Sequence, residues 1–203
     1  MNLVPDPSGV PTEVLLRATL GARAARRLTR GGVTLRDLGT CGVAELTTQY
    51  GLTESAAQKA IALVELARRQ ATTPLERGQA FHSSRQVFDA LHPRLRDLRV
   101  EQFWAIYLDG KHRILREQLI SQGTLTSSPV HPRSVFRPAI RCAAAAIVLA
   151  HQHPSGDPTP SHDDLQITTR LRDAGELLGI QIIDHLILGD GTYTSLADRG
   201  LLA

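Results

Sequence analysis

The spacing of apolar positions predicts a first region made only of helices. Apolar side chains recur at near-helical intervals, which favours helices over 12–29, 35–38, 43–50 and 54–69. Thr12 is the expected N-cap of the first helix, and Gly31 with Gly32 is expected to end it. Residues 1–11 should be loose, and Thr72 to Pro74 is typical of a linker. We therefore predict a small all-helical domain over residues 1–75.

From residue 76 onward, short apolar runs alternate with helical periodicity. An aromatic-rich run at 103–108 predicts a buried strand, and 113–121 is its expected hairpin partner. Further strands are predicted at 145–150 and at 180–188, the last interrupted at Asp184 and His185. Helices are predicted at 84–91, 134–143 and 161–178. Strands and helices mix, so the prediction for residues 76–203 is an α/β domain with a mixed sheet.

Charge is distributed unevenly between the two regions. The net charge is +3 at pH 7, and the whole excess falls in residues 1–80, which hold ten basic and seven acidic side chains. Five arginines stand close together there: Arg17, Arg23, Arg26, Arg27 and Arg30. A surplus of this size permits contact with nucleic acid, but it also fits a solvated helix face.

Other features of the composition favour a soluble cytoplasmic protein. Cys41 and Cys142 are the only cysteines and lie far apart, which argues against a disulfide framework and against a CxxC metal site. No apolar run reaches the roughly 20 residues that span a bilayer. The opening residues lack the basic and apolar regions of a signal peptide. No membrane partner is therefore expected.

Two histidines at the end of a predicted strand are candidate metal ligands. His151 and His153 follow the apolar run 145–150, and residues two apart on a strand project from the same face. Imidazole nitrogens suit zinc, and catalytic zinc sites typically offer three protein ligands and one open position. Asp164 can be the third ligand, returned to the histidines by the proline-rich loop that precedes it.

The start of the following helix has a second explanation in helix capping. Ser161 and Asp164 have the spacing of an N-capping arrangement with an acidic side chain near the helix N-terminus. The two explanations are compatible, because a capped helix start would hold Asp164 rigidly. Asp163 is a rival ligand, and periodicity alone does not decide between the two carboxylates.

Three separate motifs resemble those of a known family. The pattern HxH, seven residues, then SxxD is similar to the JAMM (MPN+, or JAB) metallopeptidase motif. The longer strings GTLTSSPVHPRSVFRPAI, HQHPSGDPTPS and DHLILGDGTYTSL resemble the bacterial RadC family, in the same order along the chain. The resemblance covers the chain from about residue 80 to its end. It implies a three-layer α/β domain.

The resemblance also implies a set of site residues. His151, His153 and Asp164 match the zinc ligands, and Ser161 matches the serine that helps to stabilise the transition state. A glutamate from an upstream strand should be the general base. Glu101 is the candidate because it directly precedes the strand at 103–108, and Glu117 is the second candidate. Gln152, where RadC proteins usually have asparagine, should point away from the metal.

Three further histidines lie near these motifs. His131 and His185 are expected to orient the ligands or the substrate from behind them, although local turn structure and strand-end hydrogen bonding also explain them. His162, on a helix, should face away from Asp164.

The N-terminal region resembles the helix–hairpin–helix domain with which RadC proteins usually begin. Gly51, Leu52 and Thr53 precede the helix at 54–69, and such a turn can offer backbone N–H groups to a DNA phosphate. The motif is degenerate, because its second glycine is absent and Glu54 would repel phosphate. DNA is therefore a possible partner, beside a role in packing or in binding another protein.

The function implied by the resemblance is zinc-dependent hydrolysis of an amide or isopeptide bond. Zn2+ is the expected cofactor, and a peptide or isopeptide is the expected substrate, although the sequence does not identify it. Two alternatives stay open: a DNA-associated accessory protein in repair or recombination, and a catalytically silent JAMM-like scaffold.

Overall fold

The computed structural model describes residues 9–71, 74–123 and 130–202. Its two compact units divide between residues 71 and 72, a few residues before the predicted boundary at 75; the assignment of domains stays a prediction. Most of the predicted loose segment, most of the linker and part of the motif that begins at Gly123 lie outside the described residues. Among the residues described, no helix is both long enough and apolar enough to span a bilayer.

The first unit consists of helices. They are α1 (Thr12–Leu20), α2 (Ala22–Arg30), α3 (Leu35–Leu38), α4 (Val43–Thr48) and α5 (Glu54–Ala71). Its core contains the buried side chains of Leu28, Leu38, Leu46, Leu52, Ala57 and Ala60. Gly51, before α5, has a φ of +64°, and the Ala56 N–H donates to Thr53 Oγ1 at 3.3 Å. DNA binding by this unit stays a prediction.

The single helix predicted over 12–29 is wrong, because the structure has two helices there. Gly21 separates them with a φ of +87°, a conformation that L side chains rarely adopt and that interrupts the helical backbone. The predicted cap is wrong as well. Pro11 occupies the N-cap position of α1, and Thr12 is the first residue of the helix.

The second unit contains three helices and five strands among its described residues. The helices are α6 (Ser84–Leu95), α7 (Pro132–Arg141) and α8 (His162–Leu178); the strands are β1 (Gln102–Leu108), β2 (Ile114–Gln122), β3 (Ala146–Gln152), β4 (Gln181–Leu188) and β5 (Tyr193–Ser195). The sheet order is β2-β1-β3-β4-β5. Only β3 and β4 run parallel within this sheet, so the predicted α/β class with a mixed sheet is confirmed.

Helices cover both faces of this sheet. One apolar cluster joins α6 to strand residues such as Ile106, Val148 and Ala150. The other cluster joins α7 and α8 to the alternate strand residues, including Phe103, Ala105 and Leu149. Because successive strand residues point to opposite faces, the domain has the three layers that the resemblance implies. His151, in register with Phe103 on β1, lies on the face that α7 and α8 cover.

Strand β4 is continuous, so the predicted interruption at Asp184 and His185 is wrong. The register to β3 shifts by one residue at Ile183, so that Ile182 pairs with Ile147 and Asp184 pairs with Val148. The buried Asp184 carboxylate accepts hydrogen bonds from the Ser195 hydroxyl at 2.8 Å and from the N–H of Ala197 at 3.1 Å. These bonds let a charged side chain lie inside a strand.

Candidate metal centre

Three predicted ligands meet at the end of β3. His151 is in β3, His153 follows it, and Asp164 lies in the first turn of α8. The Nε2 atoms of the two histidines are 3.0 Å apart. His151 Nε2 lies 3.1 Å from Asp164 Oδ1, and His153 Nε2 lies 3.4 Å from Asp164 Oδ2. The three side chains therefore form a group that can hold a metal ion.

A capping box fixes the orientation of Asp164. The Asp164 N–H donates to Ser161 Oγ at 3.1 Å, while Asp164 Oδ2 accepts from the Ser161 N–H at 2.7 Å and from its hydroxyl at 2.6 Å. The predicted capping role of Ser161 is confirmed. Since both hydrogen bonds from Ser161 engage Oδ2, the other carboxylate oxygen stays directed at His151.

The donor set fits a zinc ion. Asp164 is fully buried, and its Oδ1 accepts no well-formed hydrogen bond from the described part of the chain, although His151 Nε2 lies 3.1 Å away. An unpaired buried oxygen is costly unless a cation satisfies it. Ligand atoms at 2.0–2.1 Å from a tetrahedral zinc lie roughly 3.3 Å from one another; the Nε2 atoms of the two histidines are 3.0 Å apart, and Asp164 Oδ1 lies 3.1 Å from Nε2 of His151.

Electrostatics in the group favours an ionised aspartate. Burial alone would raise the pKa of the Asp164 carboxyl, but the adjacent rings of His151 and His153 and the hydrogen bond from Ser161 outweigh burial and hold that pKa far below its usual range. The hydrogen bond with Asp164 raises the pKa of His153. Metal binding would have to displace any proton held here, because zinc requires neutral imidazoles.

Glu101 lies beside these ligands. It immediately precedes β1, two residues before Phe103, whose ring stacks on that of His151 with centroids 5.8 Å apart. Burial raises the pKa of the Glu101 carboxyl, and the charges of His151 and His153 act against that rise. Its buried Oε1 has no hydrogen-bond partner among the described residues, which leaves it available to a reactant.

Glu117 does not face the metal ligands. It pairs in register with Ile106, whose side chain belongs to the cluster on the α6 face of the sheet. Its carboxylate forms an ion pair with Arg94 of α6 at 2.7 Å, with both side chains largely buried. The structure thus places the second candidate for the general base on the opposite face from His151.

Gln152 points away from the metal ligands, as expected, and binds the chain beside Glu101. Its Oε1 accepts from the Gln102 N–H at 2.9 Å, and its Nε2 donates to the Val100 carbonyl at 2.7 Å. A single buried amide therefore holds the main chain on either side of Glu101. Sequence analysis did not predict this contact.

His185 lies directly behind His151. Its Nε2 is 2.9 Å from His151 Nδ1, and its Nδ1 is 2.6 Å from Thr168 Oγ1. Complete burial holds the pKa of His185 well below its usual value, so the ring is neutral. The sequence motif singled out His185 but not Thr168. The only signal for Thr168 is its position four residues after Asp164, on the same face of α8.

The other candidates lie apart from this group. His131 is exposed at the N-cap position of α7, and no hydrogen bond joins it to the three ligands in the described structure; its predicted orienting role is not supported by contacts. Asp163 is exposed, whereas Asp164 is buried. His162 is exposed and contacts Gln166 at 2.9 Å, so it faces away from the ligands as predicted.

Comparison with known proteins agrees with the resemblance. A model of the RadC-like JAB domain family matches residues 81–201, which contain the whole candidate centre. A UPF0758 protein of Syntrophotalea carbinolica is 50% identical over 169 residues, covering 83% of this chain and 74% of that protein.

Similar proteins also occur in other organisms. A UPF0758 protein of Pelobacter propionicus is 48% identical over 171 residues, covering 84% of this chain and 75% of that protein. Another, of Methanosarcina acetivorans, is 41% identical over 168 residues, covering 83% and 73%. These matches extend beyond the second unit, since they cover more residues than the family model does. The chain belongs to the RadC-like JAB domain family.

Proposed function

We propose that this chain is a zinc-dependent hydrolase of the JAMM metallopeptidase type, which cleaves an amide or isopeptide bond. The observation that carries the proposal is the convergence of His151, His153 and the buried Asp164 carboxylate, near enough to Glu101 for their charges to act on its carboxyl. Three ligands and a nearby base are the minimum set for metal-assisted hydrolysis.

The metal would supply the nucleophile and polarise the substrate. Zinc, when bound, lowers the pKa of a coordinated water from 15.7 to about 7 and acts as a Lewis acid on a carbonyl oxygen. His151, His153 and Asp164 would hold the ion, with Asp164 oriented by its capping box. The stacked ring of Phe103 would keep His151 in place from one side.

Glu101 would move the proton in this reaction. Its raised pKa brings the carboxyl closer to working pH, which is the condition for efficient general acid–base catalysis. The carboxylate accepts a proton from the attacking water and delivers it to the leaving amine. The unpaired Oε1 has no competing protein hydrogen bond to break first in the described structure.

Ser161 would stabilise the developing oxyanion. Its hydroxyl donates to Asp164 Oδ2 at 2.6 Å in the structure, so it must rotate about the Cβ–Oγ bond to reach a substrate. Because the Ser161 N–H also donates to Oδ2, the carboxylate keeps one hydrogen bond when the hydroxyl turns. A donor placed at such a position contributes by binding charge that appears only in the transition state.

Elemental analysis and hydrolysis assays test the proposal together. The purified chain should contain about one zinc per molecule, and it should cleave members of a mixed panel of peptides and lysine-linked isopeptides followed by mass spectrometry. Glu101→Gln should keep the zinc and lose hydrolysis, because only the proton acceptor is removed.

Glu176→Gln is the matched control, since Glu176 is exposed on α8. It should keep both zinc and activity. A wild-type chain that binds no metal would support a silent scaffold instead. A fully active Glu101→Gln variant would remove Glu101 from the mechanism.

A further inference from the structure

We propose that Thr168 and His185 form a hydrogen-bond relay that fixes the tautomer of His151, so that its Nε2 presents a lone pair to the metal. The inference rests on the proposed function for the identity of the bound ion only. It assigns a positioning role to Thr168, which no sequence motif indicated, and a direction to each hydrogen bond behind the site.

The relay begins at the main chain of a metal ligand. Thr168 Oγ1 lies 2.5 Å from the carbonyl oxygen of Asp164, one turn earlier on α8. A carbonyl can only accept, so the Thr168 hydroxyl must donate. Two oxygens this close without a hydrogen between them would repel each other. The hydroxyl of Thr168 therefore donates its single proton to the carbonyl oxygen of Asp164.

The direction of the next bond follows from this donation. His185 Nδ1 lies 2.6 Å from Thr168 Oγ1, and Thr168 has no second proton to donate. His185 must therefore carry its proton on Nδ1 and donate it to the hydroxyl oxygen. With 0% of its surface exposed, His185 is neutral, and its Nε2 carries a lone pair.

The last bond determines the state of the metal ligand. His185 Nε2 lies 2.9 Å from His151 Nδ1. Because His185 Nε2 can only accept, His151 must be protonated on Nδ1 and must present a lone pair on Nε2. That atom faces His153 Nε2 and Asp164 Oδ1. In the opposite tautomer a hydrogen on Nε2 would occupy the position of the ion.

A single hydrogen bond to the main chain holds His153 in the same tautomer. Its Nδ1 lies 2.8 Å from the carbonyl oxygen of Asp157, which can only accept. The two histidines therefore direct Nε2 lone pairs and Asp164 directs a carboxylate oxygen at one point. Three acceptors that converge in this way can be satisfied by a bound cation, which would displace any proton held among them.

The relay also connects two ligands through the protein. It starts on the Asp164 carbonyl in α8 and passes through His185 of β4 to His151 of β3. A shift of α8 against the sheet would break it at Thr168. Outer partners of metal-bound histidines typically contribute 10–100-fold to metal affinity, and the same range is expected for this relay.

Nitrogen-15 NMR of the full chain after removal of metal tests the tautomers directly. Long-range proton–nitrogen correlation spectra should show His151 and His185 each protonated on Nδ1. Thr168→Val, which keeps the shape and removes the hydroxyl, should abolish that pattern at both rings and weaken zinc binding by about 10–100-fold in a chelator competition. Thr168→Ser should restore both.

Thr169→Val is the matched control. Thr169 is the next residue on α8, donates in the same way to Leu165 O at 3.0 Å, and is exposed. It should leave the tautomers and the zinc affinity unchanged. A proton on Nε2 of His151 in the wild-type chain overturns the proposal, and this result does not depend on whether any variant folds. A Thr168→Val variant that keeps the wild-type tautomers and the wild-type zinc affinity also overturns the proposal.

These readouts need neither substrate nor turnover. A chain with the expected tautomers that hydrolyses nothing would contradict the proposed function and leave the relay intact. An active enzyme whose His151 carries its proton on Nε2 before metal binds would contradict the relay and leave the proposed function intact.

Discussion

Gln152 holds the main chain on both sides of Glu101 through two hydrogen bonds of its side-chain amide. The Gln152 amide accepts from the N–H of residue 102 and donates to the carbonyl of residue 100, at 2.9 and 2.7 Å. Gln152 lies between His151 and His153 in the sequence. The same short segment therefore carries two candidate metal ligands and positions the candidate base.

Replacing Gln152 should separate base positioning from metal binding. Gln152→Leu removes both hydrogen bonds, and each partly buried main-chain group that loses its partner costs about 0.5–1.5 kcal/mol of stability. We expect kcat to fall at least tenfold, since a misplaced base is penalised in rate, while zinc affinity stays near the wild-type value. Kinetics and chelator competition on the same preparation measure the two effects.

Gln181→Leu provides the control for Gln152→Leu. Gln181 is the exposed first residue of β4, so its loss should change neither kcat nor zinc content. A Gln152→Leu variant with wild-type kcat would show that Glu101 does not need this support.

Adjacent aspartates allow a direct test of the third ligand. Asp164→Asn keeps an oxygen for the capping box but removes the charge from the buried group, and we expect zinc binding to weaken by at least 100-fold. Asp163→Asn alters an exposed side chain and should leave zinc binding unchanged. Isothermal titration with zinc distinguishes the two variants, and the opposite ranking would make Asp163 the ligand.

Local sequence patterns predicted the candidate ligands but not the contacts that orient them. His151, His153 and Asp164 follow from strand alternation, capping spacing and the family motif. The contact of Gln152 with residues 100 and 102 joins positions about 50 apart in the chain, and no local pattern reports such a pairing.

The fold of the sheet also contains features that local sequence patterns do not predict. The bulge at Ile183 places both Ile182 and His185 on the face of α8, which strict alternation would not allow. The sequence predicts a break at Asp184 and His185, whereas the structure accommodates both residues in a continuous strand through this bulge. Strand β5 has only three residues and was not predicted at all.

Gly189 is expected to be essential for the loop that anchors His153. A Cβ at this position would lie 2.3 Å from the Gly156 carbonyl oxygen and 2.7 Å from Pro158 Cδ. Gly189→Ala should therefore displace the residues around Asp157, whose carbonyl accepts from His153 Nδ1. We expect zinc affinity to fall about tenfold, the lower end of the range for outer partners of a histidine ligand.

Gly191→Ala is a control for the same turn. Gly191 has open space around its Cβ position, although its φ of +72° makes alanine strained there. It should reduce stability modestly, by about 1 kcal/mol, and keep zinc affinity. Equal zinc affinity in both variants would mean that the contact of Gly189 with the loop does not support His153.

Asp184 should give the folded chain a pH dependence of stability. Burial raises the pKa of the Asp184 carboxyl, and the hydrogen bonds from Ser195 and Ala197 offset burial only in part. A carboxyl with a raised pKa in the folded state binds its proton more tightly when folded than when unfolded. Stability from this group is therefore present at low pH and is lost as pH rises through the unfolded and then the folded pKa.

Comparison of Asp184→Asn with the wild type isolates that contribution. Asparagine cannot ionise, and its Oδ1 can still accept from Ala197 N–H. Urea denaturation of the metal-free chains should show the wild type losing stability relative to the variant over the interval that begins at about pH 4, the ordinary pKa of an aspartate in an unfolded chain. A wild type that gains stability relative to Asp184→Asn over this interval would mean that hydrogen bonding to the carboxylate outweighs its burial.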